Sequence, residues 1–109
     1  MASYRKPIIG VPASILEVGE NQIPAHTSGK RIIDSLITFA NCIPFIIPAR
    51  ADTYDTSSLL DNFDGIFLSG GRANVEPHHY GAPPFPPDEI TDTDRDNTVL
   101  PLIRGCIER

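Results

Sequence analysis

Three short apolar runs constrain the fold of this 109-residue chain more than any other feature. Pro7-Ile8-Ile9-Gly10-Val11-Pro12, Ile43-Pro44-Phe45-Ile46-Ile47-Pro48 and Ile66-Phe67-Leu68-Ser69 are too short for helices. They are rich in β-branched or aromatic side chains, and each is closed by proline or glycine. Continuous apolar runs of this kind read as strands buried on both faces, the pattern of a parallel sheet.

Between the runs the period changes. Ile33, Leu36, Ile37 and Ala40 recur at helical spacing, with Ile32 and Phe39 widening the stripe, so a helix is predicted here. Thr27 or Ser28 can cap its start and Asn41 can close it in the left-handed conformation. The polar, glycine-containing stretch from Glu17 to Pro24 before it reads as a loop. Thr56 to Phe63 reads as a short helix after a polar loop, and Asp64-Gly65 turns the chain into the third strand. Residues 72 to 93 form a long irregular segment holding Pro83, Pro84, Pro86 and Pro87. Val99, Leu102, Ile103 and Cys106 then predict a helix from about Arg95 to the end, with Asp94 or Asp96 as its cap. Pro101 should kink that helix or delay its start. A strand over Val99 to Ile103 is the rival reading, disfavoured because proline is nearly excluded from central strands. The alternation of strand and helix predicts a parallel α/β fold with right-handed crossovers, in one domain spanning 1–109.

Composition excludes several functions. The net charge is −5 and the nine Lys and Arg residues are scattered, so no basic stripe suits nucleic acid. No apolar run reaches a membrane-span length, and the start Met-Ala-Ser-Tyr-Arg-Lys lacks the pattern of a signal peptide. A cytoplasmic protein is expected. Cys42 and Cys106 lack metal or redox spacing and read as ordinary thiols. His78-His79 has no third ligand at motif spacing, and Glu89, Asp92, Asp94 and Asp96 fit no calcium loop. That acidic run reads as a solvated loop with favourable charge at a helix N-terminus. Phosphate-binding glycine motifs are also missing, so neither metal nor cofactor is expected.

In open parallel sheets the site lies beyond the carboxyl ends of the strands. Those ends are Pro12-Ala13-Ser14, Pro48-Ala49-Arg50 and Ser69-Gly70-Gly71-Arg72. Two glycines after a strand allow backbone angles closed to other residues and leave N–H groups uncovered for an oxyanion. A tight turn needing glycine is the alternative.

The stretch from Asp64 to Gly81, DGIFLSGGRANVEPHHYG, resembles the signature of the gamma-glutamyl hydrolase and gamma-glutamyl-gamma-aminobutyrate hydrolase branch of the class I glutamine amidotransferase-like family. Lys6 to Val11 and Ile43 to Pro48 resemble that family's first two strands. Thr93-Asp94-Arg95-Asp96 with Leu102-Ile103-Arg104 resembles the helix before its nucleophile. The resemblance implies a flavodoxin-like, three-layer α/β/α fold and cysteine-dependent hydrolysis of small gamma-glutamyl amides by a Cys-His-Glu triad. It also implies that Gly70 and Gly71 supply oxyanion-hole N–H groups and that Arg72 and Asn74 border the substrate. Two departures stand out. Asn41-Cys42 replaces the family's usual Gly-Gly, and the G-x-C-x-G nucleophile elbow is absent, since Cys106 has no following glycine. The chain therefore reads as a truncated N-terminal portion, inactive alone. The alternative is a non-catalytic binding module or a subunit of a split amidotransferase. An uncovered third strand is expected to favour self-association or a partner carrying the other half.

Overall fold

The computed structural model describes residues 5–50 and 53–109. The first four residues of the chain's start, and residues 51–52 in the polar loop before the short helix, lie outside them.

The elements run β1 (Ile8–Pro12), β2 (Ser14–Val18), β3 (Ile23–Thr27), α1 (Lys30–Ala40), β4 (Ile43–Ile47), α2 (Thr56–Leu60), β5 (Gly65–Ile66), a 3-10 helix (Pro77–Tyr80) and α3 (Thr93–Glu108). The three expected strands form one parallel sheet in the order β4-β1-β5. Helices cover both faces, as expected for a flavodoxin-like α/β fold. On one face Val11 of β1 packs with Leu36 of α1 and with Cys42. On the other, Ile47 of β4 packs with Leu60 of α2 and Leu102 of α3.

The ends of α1 depart from expectation at one point and agree at the other. Its N-cap is Gly29, which has no side-chain cap. Thr27 ends β3 instead, and its hydroxyl donates to the Ser14 carbonyl, so neither Thr27 nor Ser28 caps the helix. Asn41 closes α1 with φ 48° and ψ 49°, in the left-handed region that Asn tolerates. Cys42 follows, buried, with its thiol donating to the Leu36 carbonyl at 3.5 Å. The Asn-Cys pair that departs from the family's Gly-Gly thus supplies both the turn and a core side chain.

Four further expectations need correction. Residues Glu17 to Pro24 are no simple loop, because β2 and β3 form an antiparallel hairpin in register from Ser14–Thr27 to Val18–Ile23. Its turn uses positive φ at Gly19 and Gln22. The hairpin is only two strands wide, so Pro24 can occupy an edge without breaking a ladder. Second, β4 is largely exposed, with Phe45 and Ile46 at 50% and 46%, because it forms an edge of the sheet. Third, β5 is two residues long and does not extend to Ser69. The Phe67 N–H donates to the Gly10 carbonyl, and the next rung would need an N–H from Pro12, which proline lacks. Fourth, α3 begins at Thr93 and carries Pro101 internally, so proline does not delay its start. Cys106 is exposed on that helix rather than on a buried face.

One electrostatic tie fixes the start of the sheet. Asp64, just before β5, accepts the Ile8 N–H at 2.7 Å and a two-pronged contact from Arg5 at 2.9 and 3.1 Å. The Ile8 N–H foremost, then the Arg5 guanidinium, hold its carboxyl below the usual carboxylate range. Among the described residues, no helix is long and apolar enough to cross a membrane.

Candidate active site

Two of the three strand ends meet in one place. A pocket of about 310 Å³ is walled by Ser14 after β1, by Ser69, Gly70, Gly71 and Arg72 after β5, by Thr27 to Gly29 at the start of α1, and by Thr91 and Asp92 before α3. The third end turns elsewhere: Ala49 is buried and its N–H donates to His26 Nδ1 at 3.0 Å.

The walls are tied together by two side chains at the start of α3. Asp92 is the helix cap, in place of the expected Asp94 or Asp96. One oxygen of its buried carboxylate accepts the Arg95 N–H at 3.0 Å and the other accepts the Ile15 N–H at 2.8 Å. Arg95 lies one helical turn further on. Its guanidinium donates to Ser14 Oγ at 3.1 Å and to the Ser69 carbonyl at 2.5 Å. The hairpin, the segment after β5 and α3 are therefore joined at one point.

The glycines act otherwise than through special backbone angles. Positive φ among the described glycines occurs at Gly19 and Gly81, so neither Gly70 nor Gly71 uses glycine for a positive φ. A Cβ on Gly71 would instead meet Arg95 Nη1, the far end of a flexible side chain, so a substituent there would displace the guanidinium. At Gly70 the corresponding space is open. Among the described residues, neither the Gly70 nor the Gly71 N–H has a hydrogen-bond acceptor. Ser28, on the opposite wall, has a buried hydroxyl without a partner among the described residues.

Arg72 lines the pocket and is exposed. The Asn74 side chain is engaged elsewhere, donating to Glu89 Oε1 at 2.5 Å, while its N–H bonds the Ile90 carbonyl. These contacts close the long 74–91 segment on itself. In the rest of the acidic run, Asp94 is exposed in the first turn of α3, as expected, whereas Asp96 is not solvated. Asp96 is buried beside Asp92 and accepts the Glu76 N–H at 2.9 Å. His79 Nε2 lies 3.9 Å from Asp96, and its ring lies against that of His78, tilted by 36° with centroids 4.0 Å apart. Among the described residues, no three His, Cys, Asp or Glu side chains converge as a metal site.

Ser14 stands at a strand end where the sequence places the site, but nothing in the sequence marks Arg95 or Asp92 as site residues. The only local signal was an aspartate three residues before Arg95, a helix-cap spacing. Nothing in the spacing relates Arg95 to residues 14 or 69.

The sequence matches the family described as Peptidase C26 over residues 7–109. It is 33% identical over 107 residues to a gamma-glutamyl-gamma-aminobutyrate hydrolase of Escherichia coli O157:H7, covering 94% of this chain and 39% of that protein. The gamma-glutamyl-gamma-aminobutyrate hydrolase PuuD of E. coli K12 is 32% identical with the same coverage. So is the gamma-glutamyl-gamma-aminobutyrate hydrolase of Shigella sonnei. The chain thus spans about two fifths of the length of these relatives, 39% of each.

Proposed function

The chain belongs to the Peptidase C26 family, and from that premise we propose that it forms the carbonyl-binding side of a gamma-glutamyl amide hydrolase site. The observation that carries this reading is the pair of unaccepted N–H groups at Gly70 and Gly71 in the wall of a strand-end pocket. When a thiolate attacks an amide, the carbonyl oxygen becomes an oxyanion. Fixed backbone N–H donors stabilise that charge, and losing one such donor typically lowers kcat by roughly 10²–10³. Arg72, in the same wall, supplies a positive charge for a substrate carboxylate. Asn74 serves the pocket indirectly, by holding the 74–91 segment closed through Glu89. The relatives, named as gamma-glutamyl-gamma-aminobutyrate hydrolases, support a gamma-glutamyl amide as the substrate class.

The nucleophile in this reading is neither cysteine of the chain. Cys42 is buried against Leu36, Cys106 is exposed on α3, and neither lines the pocket. The Cys-His-Glu triad is supplied by residues outside 1–109, and the chain alone is inactive. With L-glutamine added, the Gly70, Gly71 and Arg72 amide signals in a ¹H–¹⁵N spectrum are expected to shift, with no release of ammonia above background. Turnover blocked by a thiol alkylator would overturn the assignment of the nucleophile. Unmoved Gly70 and Gly71 signals would overturn the carbonyl-binding role.

The sheet edge supports a companion expectation of association. Phe67 and Leu68, just past β5, are 39% and 45% exposed, and no strand pairs with β5 on its far side among the described residues. An apolar edge of this kind is a template for pairing. The chain is expected to associate with a second copy or with a complementary segment. Light scattering over a concentration series should show a mass rising above 11.9 kDa. A constant monomer mass would refute it.

A further inference from the structure

A cation in the first turn of a helix opposes the helix dipole, and Arg95 occupies that turn of α3. What holds it there, among the described residues, is not an ion pair but two neutral oxygens, Ser14 Oγ and the Ser69 carbonyl. The second of these matters for the pocket. Every peptide bond among the described residues is trans, and in a trans peptide the carbonyl and the following N–H point in opposite directions. By holding the Ser69 oxygen, Arg95 sets the Gly70 N–H on the side of the peptide away from itself. Little else restrains this segment. No side chain closes around Gly70, whose Cβ position is open space, and glycine backbones are the most mobile. Gly71 is shaped to admit Arg95, because any side chain there would strike the guanidinium.

We propose that Arg95 is the positioning residue of the Gly70 donor, clamping the Ser69–Gly70 peptide plane so that its N–H is fixed before a carbonyl arrives. This rests on the reading of the Gly70 and Gly71 N–H groups as carbonyl-binding donors. Preorganised donors act because they need not be ordered during the reaction, and the clamp supplies that order.

The test is the heteronuclear NOE of Gly70 and Gly71 in ¹⁵N-labelled chain, compared between wild type, Arg95→Met and Arg95→Lys. Methionine keeps an apolar stem and removes all donors. Lysine restores a point charge with a single-site reach. The expected result is a loss of order confined to Gly70 and Gly71 in Arg95→Met, with β1 and α1 unchanged and partial recovery in Arg95→Lys. The glutamine-induced shift of Gly70 should weaken at least tenfold alongside. If Arg95→Met does not fold, Gly71→Ala decides by the same Gly70 signal, since its Cβ strikes the guanidinium while leaving every residue of α3 in place. Loosening of Gly70 there supports the clamp, and a rigid Gly70 overturns it. A Gly70 as rigid in Arg95→Met as in wild type, or a loss spread evenly over α3 and the hairpin, overturns the proposal alone. Wild-type Gly70 and Gly71 signals that ignore glutamine overturn the carbonyl-binding reading, and the proposal with it.

Discussion

Replacing Asp92 with alanine is expected to lower the unfolding free energy by roughly 2–4 kcal/mol. Two losses combine. The α3 cap disappears, which typically costs about 1 kcal/mol. The Ile15 N–H, now without its carboxylate oxygen, becomes an unsatisfied donor in a partly buried place, worth about 1–3 kcal/mol more. Asp92 itself is 8% exposed, so water can replace it only after local rearrangement. Against the 5–15 kcal/mol typical of a folded domain this is a large share. Urea unfolding measures it directly. Asp92→Asn keeps one acceptor oxygen and should fall between wild type and alanine. A loss below about 1 kcal/mol for Asp92→Ala would show that the carboxylate does not join β2 to α3 as the geometry requires.

The second large effect is a contrast between neighbouring glycines. Gly71→Ala should destabilise by about 0.5–1.5 kcal/mol, the net worth of a hydrogen bond that the displaced end of the flexible Arg95 side chain would give up. The cause is the collision of the new Cβ with Arg95 Nη1, after which the bonds to Ser69 and Ser14 cannot both persist. Gly70→Ala meets nothing within 4 Å and needs no positive φ. It should stay within about 0.5 kcal/mol of wild type, as an unconstrained surface change does. Thermal or urea unfolding of the two variants side by side tests this. Equal losses would mean that the pair acts through a turn requirement, the alternative that the sequence left open.

The backbone plan was legible because it depends on local pattern. β-branched runs bounded by proline specify strands, and the Ile33, Leu36 spacing specifies a helix regardless of its neighbours. The hairpin was illegible for the opposite reason. Leu16, Val18 and Ile23 are 46%, 44% and 58% exposed, so no buried face imposes a clean alternation, and Glu17, Gly19, Asn21 and Pro24 carry loop chemistry. The exposure of β4 and the brevity of β5 also depend on what lies beside them in the sheet, which local pattern does not encode. The Gly70-Gly71-Arg72 wall could be read from its motif and its place after a strand. The reason for Gly71 could not. It lies in a guanidinium 24 positions further along the sequence, and Arg95 alone looks like any surface arginine near a helix start.

The ties that close the pocket are among the most distant in the chain. Arg95 reaches Ser14 across 81 positions and Asp92 reaches Ile15 across 77, whereas the Thr27 to Ser14 bond of the hairpin spans 13. The entropy of closing a loop grows by about 0.6 kcal/mol per doubling of its length, so the pocket ties carry roughly 1.5 kcal/mol more of that burden than the hairpin does. A hairpin can form and persist as a local event, but the pocket exists only when both ends of the chain are already in place. Closure of the pocket is therefore a measure of global folding, while signals from the hairpin are not, and a chain cut anywhere between Thr27 and Arg95 could keep the hairpin but would hold the pocket only through its remaining non-covalent contacts.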